Sequence, residues 1–159
     1  MTASDGRSDF DFMVGQWTVS HRRLNDRLVG CTEWTTFSGQ SQTTPILAGF
    51  GNVEDNVLDL PEGSYRAAAF RSFDPKLGTW SIWWLDGRSP GALAPPVVGR
   101  FKGDVGEFYA EDTFRGRKIR IRFLWKRLGP GSARWEQAFA EAGTDAWETN
   151  WTMDFRRVL

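Results

Sequence analysis

The 159-residue chain falls within the size of a single domain with one hydrophobic core, and its 20 lysines and arginines balance 20 aspartates and glutamates. Without a net field it is not expected to hold nucleic acid or an anionic membrane surface. Its one cysteine, Cys31, excludes an internal disulfide framework; with no signal-peptide core at the start and no run of roughly 20 apolar residues, a soluble cytoplasmic protein is expected.

Residues 1–9 are small and polar and read as a flexible tail ahead of one domain over residues 10–159. Phe10-Asp11-Phe12-Met13-Val14 gives a short apolar segment suited to one helical turn before Gly15. From Trp17 onward the pattern has period two, interrupted by glycine, proline and Asx chemistry at Asn25-Asp26, Pro61-Glu62-Gly63, Asp74-Pro75, Lys102-Gly103-Asp104, Arg115-Gly116 and Gly129-Pro130-Gly131. The clearest strand covers residues 118–126, where Ile119, Ile121, Phe123 and Trp125 share one face and Lys118, Arg120, Arg122 and Lys126 the other. Residues 134–140 place Trp135, Gln137 and Phe139 together, and the last strand places Trp147, Thr149, Trp151, Met153 and Phe155 on one face. The segments between turns number about nine to eleven, an all-β meander that removes its edges by closing into an up-and-down antiparallel barrel. Residues 89–96 are the longest irregular stretch and the candidate lid.

Nine tryptophans and twelve phenylalanines stand against two tyrosines and one histidine. Each indole buries on the order of 150–250 Å², so this set exceeds what a core of this size needs, and the surplus points to an aromatic-lined interior.

Phe12-Met13-Val14-Gly15-Gln16-Trp17 puts a Gly-x-Trp after a hydrophobic turn at the start of the first strand, and Arg156-Arg157 ends the last. The combination resembles the lipocalin and fatty-acid-binding-protein superfamily. Trp80-Ser-Ile-Trp-Trp84 and Arg134-Trp-Glu-Gln-Ala-Phe139 bring the chain closer to a family of uncharacterised bacterial lipocalin-like domains. The resemblance implies that Gly15 lets the helical turn bend into strand one, that Trp17 closes the base of the barrel, and that Arg157 packs across its indole. It implies structural roles for all three.

The same parity that turns Trp17 inward turns Val19, His21 and Arg23 inward. His21 is the only histidine, available as proton shuttle, hydrogen-bond anchor or, less favoured, haem ligand. Among the acids Glu33, Asp86, Glu107 and Glu136, two stand out: Glu33 is followed by Trp34 and Phe37, and Asp86 continues the parity of Trp80, Ile82 and Trp84. Any inward acid needs an arginine or histidine partner. Trp83 and Trp84 are consecutive, so one indole faces out, where it is either covered by the chain's own segments or forms a homodimer patch.

No residue set matches a zinc site, a nucleophile elbow or a dinucleotide fingerprint, so no metal or cofactor is expected. The leading reading is a binding module for a small, largely apolar or aromatic molecule, with His21, Arg23, Trp34, Trp84, Trp125, Trp135, Gln137 and Trp151 as ligand-binding residues. The alternative is a cofactor-free cyclase, isomerase or lyase working in the barrel, with His21, Glu33 and Asp86 as its catalytic set.

Overall fold

A computed structural model describes residues 5–159. Ten antiparallel strands follow one another in chain order: β1 (Gly15–Leu24), β2 (Trp34–Ile46), β3 (Gly51–Leu60), β4 (Gly63–Asp74), β5 (Thr79–Asp86), β6 (Val97–Lys102), β7 (Val105–Phe114), β8 (Arg117–Gly129), β9 (Ser132–Glu141) and β10 (Glu148–Arg157). Each pairs with its neighbours in sequence, and β1 pairs with β10 to close the barrel. Closure satisfies the backbone groups that an open meander would leave along two edges. Short 3₁₀ turns occur at Asp11–Met13 and Leu47–Gly49. No helix among the described residues is long and apolar enough to cross a membrane.

Alternation decides what fills the interior. On β1 Trp17, Val19 and His21 are buried in alternation with exposed Gln16, Thr18 and Ser20, and Leu24 is buried at the strand's end. On β8 Ile119, Phe123 and Trp125 are buried and Ile121 packs against the same core, the face the sequence pattern predicts. The last strand departs from strict alternation, because a bulge between Thr149 and Trp151 inserts Asn150 and reverses the parity behind it. Trp151, Met153 and Phe155 are buried, whereas Trp147 lies outside on Tyr109, Arg120 and Arg122.

One end of the barrel is stoppered by its own N-terminal segment. Of the tail expected over residues 1–9, residues 1–4 lie outside the described residues. Beyond them Asp9 N–H donates to Gly6 O, Gly6 O also accepts Trp80 Nε1–H at 3.0 Å, and the Arg7 guanidinium lies 4.9 Å from the Phe50 ring. Phe10 and Met13 are fully buried, and Phe10 packs edge-on against Trp80, Phe101 and Trp125.

The seam between β1 and β10 fixes that stopper. Trp17 Nε1–H donates to Met13 O at 2.9 Å, and the Arg157 guanidinium lies 4.3 Å from the Trp17 ring while donating to Phe12 O and Val14 O, both at 2.7 Å. A guanidinium over an indole adds roughly 0.5–2 kcal/mol, and its two carbonyls are chain ends of the 3₁₀ turn that would otherwise lack donors. Gly15 is required here twice over: its φ is +124°, and a Cβ would sit 2.6 Å from Arg157 Nη1.

Above the stopper an ion pair is buried inside the barrel. Arg71 on β4 donates to Glu54 on β3 and, at 2.9 Å, to Asn52 Oδ1, all three residues less than 5 % exposed. Its guanidinium is also stacked on Phe10 and Trp125. Removing one partner of such a pair strands the other charge at a cost of about 3–5 kcal/mol.

Trp17→Ala is expected to destabilise the fold by at least about 3 kcal/mol through the lost indole volume and the released turn. Urea denaturation of both forms checks this, and coincident midpoints would contradict it.

Candidate functional site

The interior divides into a filled lower half and an upper end, termed the cup, whose inward side chains remain partly accessible. Below, around Arg71, Trp125, Trp135 and Phe155, the remaining cavity is about 20 Å³, room for about one water. Larger hollows of about 460 Å³ lie on the outer surface, one against Gln16, Thr18, Gln40 and Gln42, and are open strand-face grooves. At the end opposite the stopper, Arg23, Tyr65, Trp84, Ile121 and Gln137 point inward by register yet stay partly accessible. Inward side chains that solvent still reaches define a concave mouth.

The wall of this cup is incomplete on one side. β5 pairs with β6 only from Trp80 to Ile82, so Trp83, Trp84, Leu85 and Asp86 are paired on the β4 side alone. Residues 87–96 connect β5 to β6 beside this notch and include the 89–96 stretch expected to act as a lid; Arg88, just before that stretch, lies 3.7 Å from the Tyr65 ring centroid. On the facing side the loop between β1 and β2 leans over the mouth: Leu28 N–H donates to Glu148 Oε1 at 2.8 Å, and the Arg27 guanidinium sits 5.1 Å from Phe139.

Trp151 is the hub of the site. It packs edge-on against Trp84 at 5.5 Å and Trp135 at 5.0 Å, and the Arg23 guanidinium lies 4.1 Å from its ring. Its Nε1–H donates to His21 Nδ1 at 3.1 Å. Accepting at Nδ1 makes His21 the neutral tautomer with its proton on Nε2. The ring is 97 % buried, stacked on Phe37 at 4.5 Å, and its Nε2 lies 2.9 Å from where a Cβ on Gly39 would stand. Burial first, and the nearby Arg23 charge second, push its pKa down to about 3.

The sequence-predicted residues therefore sort by depth. Arg23, Trp84, Gln137 and Trp151 meet in or just beneath the cup, with Gln137 Nε2–H donating to Asn150 Oδ1 at 2.8 Å. Trp135 lies below them, and Trp125 lies deeper, against the stopper beside Phe10, Phe12 and Phe155. Trp34 is displaced from the expected set: it pairs in register with Leu24 and stacks under Arg22 at 4.3 Å, on the face where Arg22 is exposed. Phe37 takes the inward place, because β2 begins at Trp34 and its parity runs through Phe37, Gly39 and Ser41. Trp83 is outward and pairs with Phe70.

Nor does the structure assemble His21, Glu33 and Asp86 into one site. Glu33 is exposed before β2, where only its backbone carbonyl is engaged, accepting Asn25 N–H. Asp86 is at the rim, its carboxylate held by Arg88 at 2.8 Å, which keeps its pKa below the usual carboxylate range. Glu107 bonds the outer Tyr109, and Glu136 bonds Lys126 and Arg134, also outside. Among the described residues no group of three or more His, Cys, Asp and Glu is placed to hold a metal.

Sequence reasoning passed over Tyr65, Arg71, Glu54 and Asn150. Tyr65 OH accepts Arg23 Nη2–H at 2.8 Å, which makes it part of the cup. The signal for Arg71 was its place in Ala67, Ala69, Arg71 and Phe73, an alternating set with one charge in an otherwise small or apolar row.

A closed ten-stranded antiparallel barrel, stoppered by a 3₁₀ turn and sealed by Trp17 and Arg157, is lipocalin-like in fold. No family model and no curated protein sequence matches the chain. Solved structures do match, each at 10 % identity. Rv2717c from M. tuberculosis aligns with a TM-score of 0.66 over 99 % of both chains. The S-type phycobiliprotein lyase CPES from Guillardia theta aligns at 0.56 over 98 % of this chain and 96 % of its own. EF1p2_mFAP2b, bound to DFHBI, aligns at 0.53 over 96 % and 99 %. At this identity the likeness is one of fold.

The low pKa of His21 has a stability consequence with a definite sign. The unfolded chain protonates near 6.5 and the folded one only near 3, so this contribution is complete above about pH 6.5 and is lost as pH falls through that window. At pH 5 the loss amounts to about 2 kcal/mol. His21→Gln is expected to flatten the fall in stability between pH 7 and 5; parallel curves for the two proteins would refute the assignment.

Proposed function

We propose that the chain binds a small, compact, largely apolar or aromatic molecule in the open cup of the barrel. One observation carries the reading: Trp84 and Tyr65 face into the barrel and remain partly accessible, above a floor of Trp151 and Trp135 that is closed. Inward aromatic surface left in contact with water is surface that a ligand removes from it, at roughly 25 cal/mol per Å². Two fold neighbours, the S-type phycobiliprotein lyase CPES and EF1p2_mFAP2b bound to DFHBI, are in keeping with this use of the barrel.

The same geometry weighs against a His21-centred enzyme. An imidazole neutral down to about pH 3, with Nδ1 accepting from Trp151, is not poised to exchange protons near neutrality. Haem ligation is equally ill-suited, since Nε2 faces the β2 backbone at Gly39. His21 instead orients the Trp151 ring that floors the cup.

Compact polycyclic aromatics are expected to change tryptophan emission, and Trp84→Phe to remove a large part of the response. A titration panel of polycyclic aromatics, fatty acids and anilinonaphthalene dyes checks this. A flat emission across the whole panel would overturn the binding reading.

A further inference from the structure

Polar groups in the cup are one-sided. Arg23 reaches in from β1 with its guanidinium over Trp151 and over Phe37 at 5.2 Å. It spends Nη2–H on Tyr65 OH, while its Nε–H is buried with no partner. Asn150, next to Trp151 in the β10 bulge, has its Oδ1 engaged by Gln137 and its buried Nδ2 without a partner. Both unmatched groups around Trp151 are therefore N–H donors. A donor left unpaired in a low-dielectric site costs about 1–3 kcal/mol and leaves the surroundings of Trp151 short of acceptors.

Charge has the same bias. Neither Arg23 nor Arg27 forms an ion pair among the described residues, although most other arginines near the rim do: Arg88 with Asp86, Arg115 with Asp26 and Arg117 with Glu141. Arg23 and Arg27 stand near enough that each guanidinium feels the other, and burial together with that repulsion lowers the Arg27 pKa to about 10. Their carboxylate neighbours are spoken for: Asp86 is bonded by Arg88, and Glu148 Oε1 accepts Leu28 N–H. Glu148 and Asp86 act on these cations only through space, without a direct ion pair, so two guanidiniums facing one aromatic cup keep donors free for an anion.

Depth limits the shape of that anion. The interior below Trp84 and Trp135 holds a cavity of only about 20 Å³, too small for an alkyl tail of fatty-acid length, so the apolar body has to be short and broad enough to lie against Trp84, Tyr65 and Trp151. We propose that the ligand is a compact aromatic acid, its carboxylate received by Arg23, with Arg27 adding charge, and its ring seated on the tryptophan floor. This inference rests on the binding reading above and narrows it to one chemical class.

Paired probes test the class directly. By calorimetry or tryptophan emission, 2-naphthoate is expected to bind the full-length protein at least about tenfold more tightly than the neutral isostere 2-naphthamide, and more tightly than palmitate. Arg23→Gln should erase the preference for the acid, and Arg27→Gln should reduce it, each read as the ratio of acid to amide affinity within the same variant. Because the wild-type ratio is informative alone, the test survives a variant that fails to fold. Equal affinity for acid and amide, or tighter binding of palmitate, overturns the aromatic-acid assignment and leaves the binding reading standing. Failure of all three probes to bind overturns both.

Discussion

Everything above the base of the barrel depends on one guanidinium. Arg157 stands over Trp17, donates to the carbonyls of Phe12 and Val14, and donates through Nε to Pro130 O, so a single side chain ties the first strand, the last strand, the N-terminal turn and the β8–β9 connection. Sheet closure between β1 and β10 brings Trp17 and Arg157 directly opposite in register. Without that seam the turn carrying Phe10 and Met13 has no fixed entry angle, and the aromatic layer around Phe10 loses its centre.

From that seam upward the barrel grades from solid to open. Six tryptophans face inward, Trp17, Trp80, Trp84, Trp125, Trp135 and Trp151, and Trp17, Trp80, Trp125 and Trp135 each pack edge to face with a phenylalanine at centroid separations of about 5–6 Å. Such packing leaves little void, and the Arg71–Glu54 pair occupies the space a ligand tail would need. A buried ion pair adds little net stability over apolar residues of equal size, yet it holds β3 and β4 in register around Phe10 and Trp125. The barrel is thereby shaped to present a cup at one end.

Three structural features meet at that cup. Trp151 is held in orientation by His21 from below and covered by Arg23 from the side, so its ring is a preorganised surface. The short β6 leaves a notch in the wall beside Trp84, and the loops before β2 and β6 bring arginines to the rim. Aromatic floor, cationic rim and lateral notch all belong to the same end of the molecule, which gives the small-molecule reading its location.

Much of this was legible in the chain before it folded. Period-two alternation over residues 118–126 and the turn chemistry between segments specified an antiparallel barrel, because a strand buries one face only. Gly15, Trp17 and Arg157 were marked by the resemblance to the lipocalin superfamily, and parity alone gave the inward directions of His21 and Arg23, which lie two and three strand repeats beyond Trp17. Tertiary structure decided the rest. Parity cannot count across a bulge, so Trp147 could not be told from Trp151 until Asn150 was seen to insert an extra residue. A strand with polar residues inside reads inverted, as in β3, where Asn52, Glu54 and Asn56 are buried and Asp55 and Asp59 exposed; only Arg71 arriving from β4 makes that burial tolerable. Whether nine tryptophans enclose a cavity or fill it depends on how their rings interlock in three dimensions, and no one-dimensional pattern records a volume.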